Sequence, residues 1–203
     1  SYFRRLALPS KLTWDDRDAA ADATRGYYAE LGLTPFLGFA GTGSGLRTTA
    51  DLRAYRGFGA DDRFVLAGRA QIGAVFGPDL ADTPRDYLFY SGGGGTVRGQ
   101  PYQSLGVYAL QNGTKRTGGM RFAALSGELR AGITDTIGVV GFYDAGFVGL
   151  DDFFGGDGEW HAGAGIGLRY KTAIGPIRLD VAAPVGGDTG DGAQIYLGLG
   201  QAF

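Results

Sequence analysis

Over the second half of the chain, apolar and polar or small residues alternate with a period of two, and short connections rich in glycine, aspartate and threonine interrupt the alternation. In stretch 159–171, Ala162, Ala164, Ile166, Leu168 and Tyr170 oppose Gly163, Gly165, Gly167, Arg169 and Lys171. In 136–148, Ile137, Val139, Tyr143, Ala145 and Phe147 point one way, and Asp144 points the other, between Phe142 and Gly146. Stretch 119–133 sets Ala123, Leu125, Leu129, Ala131 and Ile133 against Ser126, Glu128 and Arg130, and 175–184 sets Ile177, Leu179, Val181 and Ala183 against Arg178 and Asp180. In 194–203, Ile195, Leu197, Leu199 and Phe203 share a face, with Gln201 as the exception, while Tyr196, Gly198, Gly200 and Ala202 share the other. Four similar segments come earlier, at 4–14, 26–36, 45–56 and 63–76.

Segments of this length, with one apolar face and one polar or small face, are the pattern of transmembrane β-strands, which run to about 9–11 residues. The expected fold is therefore all-β: an antiparallel transmembrane β-barrel with about nine strands in this chain. Trp160 and Tyr170 fall at the two ends of one strand, where aromatic girdles sit. Single-chain bacterial barrels normally have even strand counts, so an odd count predicts part of a larger barrel, entered in mid-barrel. If the last strand ends in the periplasm, connections 16–25, 57–62, 132–135 and 172–175 face the periplasm, and 37–44, 77–117, 149–158 and 185–193 face outward. Only 77–117 is long, and a loop of that size in a compact domain is generally functional or disordered.

Composition narrows the chemistry. Glycine is abundant, at 39 of 203 residues, but follows no collagen period, and 44% hydrophobic content predicts an ordered domain. There is no cysteine and a single histidine, which removes thiol chemistry and leaves little for a metal site, so no cofactor, no metal and no catalytic residue are assigned. A net charge of −2 argues against nucleic-acid binding, which relies on an excess of Lys and Arg. No apolar run approaches the roughly 20 residues of a transmembrane helix, and the opening Ser-Tyr-Phe-Arg-Arg lacks an apolar signal region. The run Gly92–Gly95 lacks the Lys-Ser/Thr of a phosphate loop and reads as a flexible loop. Asp151, Asp152 and Asp157 read as solvated loop charge, and His161 beside Trp160 as an interfacial polar residue without a nucleophile partner.

One charge constellation stands out. Alternation puts Glu128 and Asp144 on the interior face, while Arg98 lies in the long loop within Val97-Arg98-Gly99. From spacing alone, Arg98 is equally well a solvated loop charge and the carboxylates ordinary interior polar groups.

Other residues carry a family resemblance. The run Ser91 to Gly99, followed by Tyr102-Gln103-Ser104-Leu105-Gly106, resembles the signature loop of the outer-membrane assembly-factor superfamily, the TamA/BamA type, as do Phe142-Tyr143-Asp144-Ala145-Gly146 and the terminal phenylalanine. Gly165 to Tyr170, Gly175 to Ala182, Asp15 to Asp18 and Thr24-Arg25-Gly26 are most similar to the TamA branch. Two departures are Gln100, where an aromatic usually follows, and Ala19 to Ala21, in a turn that often carries proline.

The resemblance implies that 1–203 is the C-terminal part of a sixteen-stranded barrel, with the loop at about 77–117 folded inward and POTRA domains upstream, absent from these residues. It implies that Arg98, flanked by Val97 and Gly99, pins this loop to Glu128 and Asp144. It also implies a C-terminal strand signal and lateral seam marked by Tyr196, Gly198, Gly200 and Phe203. The implied role is non-enzymatic: an insertase or translocase in the bacterial outer membrane for other barrel proteins such as autotransporters. The implied partners are unfolded outer-membrane protein clients, the lipid bilayer with its lipopolysaccharide, and an inner-membrane-anchored periplasmic protein. The alternatives are a general barrel assembly factor, a two-partner secretion pore or a passive porin, with an outer-membrane enzyme a distant third.

Overall fold

The structure, a computed structural model, describes residues 3–203. Its strands are β1 (Arg4–Ala7), β2 (Ser10–Asp15), β3 (Arg25–Phe39), β4 (Gly45–Phe58), β5 (Phe64–Phe76), β6 (Val107–Leu110), β7 (Lys115–Thr117), β8 (Arg121–Gly132), β9 (Ile137–Gly149), β10 (Glu159–Tyr170), β11 (Ile177–Gly186) and β12 (Gln194–Leu199). Three single-turn 3-10 segments are the only helical elements among the described residues, and no helix is long and apolar enough to cross a membrane.

One antiparallel sheet follows chain order, β3-β4-β5-β8-β9-β10-β11-β12, with β1 and β2 both paired to β3. β1 and β2 are two halves of one wall strand, so the wall has nine positions. The segment expected at 4–14 is broken because Pro9 has no N–H, and the neighbouring Pro35 of β3 only accepts, from Leu8 N–H at 3.0 Å. β6 and β7 form a separate hairpin inside the long connection between β5 and β8. Among the described residues, β12 forms no ladder with β1 or β2. The wall nevertheless curls far enough for Gln201 to bond the β2–β3 turn, through its N–H to Ala21 O at 2.9 Å and its amide to Asp22 at 3.0 Å.

The two faces of the wall follow the alternation. Leu125, Leu129, Tyr143, Ile166, Leu168 and Leu197 are exposed on the outer face, while Ala124, Glu128, Arg130, Val140, Asp144 and Arg169 are buried inside. A wall with apolar residues outside and charges inside is stable only where the outside solvent is hydrocarbon.

Two expectations are corrected. Phe147, read as outward, is buried, because Trp160 packs on it at 5.1 Å and the connection at Gly158 closes over its ring. Phe203, read as sharing the outer face of the last strand, leaves that strand altogether. β12 ends at Leu199, Gly200 turns the chain with φ of 85°, and Phe203 is buried inside against Ala23, Tyr55 and Ala67.

The interior has three levels. At the end bearing the long loop, Leu80, Leu88, Phe89, Leu105 and Val107 of that loop pack on Val75, Phe122 and Val148 of the wall, with Phe89 stacked on Phe122 at 5.7 Å. Charged groups cross the middle, and the Phe203 cluster fills the opposite end. The core of this wall is therefore supplied largely by its own loop.

An outward Ile166→Arg substitution, in the middle of β10, is expected to cost about 2–4 kcal/mol of folding free energy in vesicles. Reversible unfolding from vesicles of the full-length protein checks this, and a change within error of zero would contradict the membrane-facing assignment of this face.

Candidate functional site: an inward loop held by buried charge

The loop reaches the wall where the β10–β11 ladder is irregular. Ala162 pairs with Gly186 but Gly163 pairs with Pro184, so Val185 bulges out of register. The loop backbone enters beside this bulge. A Cβ on Gly163 would collide with the Arg98 carbonyl, and one on Gly99 would lie 2.6 Å from Ala183 O, so close approach demands glycine on both sides. Gln100, fully buried, donates its amide to the carbonyls flanking the bulge, Ala162 O at 2.7 Å and Gly186 O at 3.0 Å. The departure at Gln100 is thus a built contact. Pro184 within a strand was the sequence signal for a bulge.

Arg98 then extends along the interior. Its backbone N–H and Nε donate to Asp144 Oδ2 at 3.0 and 2.8 Å, and Nη2 donates to Asp144 Oδ1 at 3.1 Å. Nη1 donates to Glu128 Oε1 at 2.7 Å and to Asp180 Oδ2 at 3.1 Å. The guanidinium lies over the Phe142 ring, 3.6 Å from its centroid. The planar fork meets carboxylates from three strands, β8, β9 and β11, which an ammonium cannot do with the same geometry.

Three partners escaped the sequence reading of this constellation. Asp180 is its third carboxylate, and Arg130 and Arg169 are wall arginines paired with two of the three: Arg130 Nε bonds Glu128 Oε2 at 2.8 Å and Arg169 Nη1 bonds Asp180 Oδ1 at 2.6 Å. Alternation had marked all three as interior. What it lacked was the register that sets them at one level of the wall.

Glu128 and Asp144 are 1% exposed, Asp180 0% and Arg98 3%. Burial works against the charge on Arg98, but the hydrogen bonds and attraction of Asp144, and then of Glu128, outweigh it and hold the guanidinium pKa above its ordinary value. Arg98 is Asp144's sole cationic partner among the described residues, whereas Glu128 also has Arg130, and Asp180 has Arg169 and, at 3.7 Å, Arg178.

The remaining predicted positions separate. Val97 is fully buried and Gly99 donates its N–H to the Tyr196 hydroxyl at 2.9 Å, so both belong to the arginine site together with Tyr196. Gly198 lies on β12 beneath the Arg178 guanidinium. Gly200 and Phe203 stand beyond the strand: Gly200 N–H donates to Pro176 O at 2.7 Å, and Arg130 joins Phe203 to the charge belt by donating to its carbonyl at 3.0 Å.

His161 is not interfacial but buried. Gln100 uses its amide N–H groups on two carbonyls, so its Oε1 accepts the Thr189 hydroxyl proton at 2.9 Å. Thr189 must then accept from His161 Nδ1–H at 2.7 Å, and Nε2 accepts from the Ser91 hydroxyl at 2.7 Å. The neutral ring ties the loop to β10 and to the β11–β12 connection. Ser91 has no exposed surface, so no substrate reaches its oxygen in this arrangement. Gly92–Gly95, read as flexible, is a bonded turn, with Gly93 N–H on Val97 O and Gln100 O and Gly92 N–H on Thr96 Oγ1. Asp157 and Asp152 accept the backbone N–H groups of Asp151 and Phe154 in their own connection, and no group of ligating side chains able to hold a metal occurs among the described residues.

Residues 3–203 match the model of the Omp85 superfamily domain. The fold is similar to that of BamA from Haemophilus ducreyi, in a crystal structure lacking POTRA domains 1–3, with a TM-score of 0.75 and 19% identity. The match covers 94% of this chain and 41% of that one, so the chain spans less than half of that relative's length.

Arg98→Ala is expected to destabilise the seated loop by about 3–5 kcal/mol, because it strands the Asp144 carboxylate without a cation. The double variant Arg98→Ala/Asp144→Ala should recover part of that loss, whereas Arg98→Ala/Asp180→Ala should recover less. Protease cleavage within 77–117 of the folded full-length protein measures this, and equal recovery in the two doubles would contradict the assignment of Asp144 as the dependent partner.

Proposed function

The chain belongs to the Omp85 superfamily, and on that premise we propose that it is the wall of a protein insertase or translocase, acting on other barrel proteins through a lateral seam. Its membrane is the bacterial outer membrane. In this reading residues 1–203 are the C-terminal portion of a sixteen-stranded barrel with POTRA domains upstream. The sequence resemblance favours the TamA branch, with autotransporters as clients and an inner-membrane-anchored periplasmic partner.

The observation that carries the reading is the loop held inside the wall by the buried Arg98 network. A passive pore leaves its interior open to solutes, whereas here apolar loop residues pack across one end and an ion-pair belt crosses the middle. A client then has the wall itself as its route. β12 supports that route: it is a short strand, and a strand edge offers unpaired N–H and C=O groups that template an incoming strand by β-augmentation. No redox, metal or nucleophilic chemistry is required of the chain, because the work is strand pairing and burial in lipid.

The experiment is catalysed insertion of an autotransporter client into liposomes containing the full-length protein, comparing wild type with Arg98→Ala at equal folded content. Acceleration by wild type and its loss in the variant is the expected outcome. Steady ion conduction without acceleration would replace the reading by a passive pore. Equal acceleration of autotransporter and simple barrel clients would favour the general assembly factor.

A further inference from the structure

β12 is held to β11 by six register pairs, Ile177↔Leu199 to Ala182↔Gln194, against nine between β10 and β11 and twelve between β9 and β10. In this short ladder Asp180 and Tyr196 are register partners, and they bond consecutive residues of the loop. Asp180 Oδ2 accepts from Arg98 Nη1 at 3.1 Å, and the Tyr196 hydroxyl accepts from Gly99 N–H at 2.9 Å. The Tyr196 ring also lies against Gly94, where a Cβ would sit 3.2 Å from Cδ1. Among the described residues, the Tyr196 hydroxyl makes the only hydrogen bond between β12 and the loop.

We propose that Tyr196 is a clasp through which the seated loop holds the last strand onto its neighbour, so that loop position sets how firmly the strand bordering the seam is held in the wall. The geometry makes the coupling specific. The Gly99 N–H is fixed in space because the preceding residue is anchored to three buried carboxylates, and the docking of Gly99 against Ala183 leaves its backbone no room to follow a departing strand. Lifting β12 off β11 while the loop is seated breaks the ladder and the Tyr196 bond together. Once the loop withdraws, β12 keeps the six-pair ladder, the packing of Tyr196 on Val140, Phe142 and Ala182, and the Gln201 bonds beyond the strand, but loses its hydrogen bond to the loop. Coupling of this kind is reciprocal: whatever holds β12 must also hold the loop. Its regulatory meaning rests on the seam proposed above, but the coupling itself is measurable without any client.

The test is amide hydrogen exchange on the full-length protein in lipid nanodiscs, comparing wild type, Tyr196→Phe and, as control, Tyr108→Phe in the exposed part of the loop. One hydrogen bond of ordinary strength corresponds to roughly a two- to tenfold change in an opening equilibrium. Tyr196→Phe is therefore expected to speed exchange of 177–182 and 194–199 by about that factor, and of 92–101 by a similar one, with the β8–β9 ladder unchanged. Tyr108→Phe should change none of these. Unchanged exchange at β11–β12, or uniformly faster exchange in every ladder as a merely structural tyrosine would give, overturns the clasp.

A second arm uses the absence of cysteine from this chain. Disulfide closure of Val181→Cys with Ile195→Cys, which are register partners, should slow exchange at 92–101 when Tyr196 is present and not in Tyr196→Phe. Lack of protection in both backgrounds also overturns it. Loss of the clasp with wild-type client insertion intact leaves the proposed function standing, whereas an intact clasp without client insertion removes the function and keeps the coupling.

Discussion

The interior of this protein depends on a buried guanidinium that belongs to a loop and not to the wall. Three carboxylates, from β8, β9 and β11, converge at one level with almost no exposure. Carboxylates taken out of water are tolerated only when paired and hydrogen-bonded. The wall supplies Arg130 and Arg169 for two of them, and the third is met by Arg98. Asp144 therefore has no cation from the wall, and only the folded-back loop supplies one, while the loop has one seat where its own buried cation is satisfied. Each makes the other's conformation the stable one.

The rest of the loop is shaped to that seat. It enters where a bulge interrupts the β10–β11 ladder and glycines admit its backbone, and Gln100 bonds the carbonyls beside the bulge. From there a chain of hydroxyls and one neutral imidazole, Gln100–Thr189–His161–Ser91, ties loop, wall and outer connection together. The apolar residues of the loop then fill the near end of the interior, where a larger solvent-filled pore would have polar side chains. This combination of a filled interior and a short last ladder directs the functional reading to the wall.

Much of this was legible in the chain. The period-two alternation located nine wall strands and sorted Glu128, Arg130, Asp144, Arg169 and Asp180 to the inside, because a strand allows a side chain only two directions. The length of 77–117 and its Val-Arg-Gly segment marked the loop, and the resemblance of those motifs named the superfamily to which the chain belongs. The alternation failed where the backbone leaves the strand geometry that generates it. Phe203 was assigned to the lipid side, but Gly200 at positive φ turns it inside, and Phe147 was assigned outward, but a connection covers it.

The sequence by itself determined which face of each strand each residue occupies and which residue types are available for charge pairing. Both follow from local stereochemistry and from the requirement that lipid meet apolar groups. Only the tertiary structure decided which of the interior charges meet. That depends on the register of strands far apart in sequence, on the bulge at Val185 and on the path of the loop, none of which leaves a periodic trace. Asp180 joined the site, His161 moved from the interface to the interior, and Tyr196 became a contact between loop and last strand for the same reason. Each is set by the distance between segments 28 to 97 residues apart in sequence, and such distances exist only once the sheet has formed.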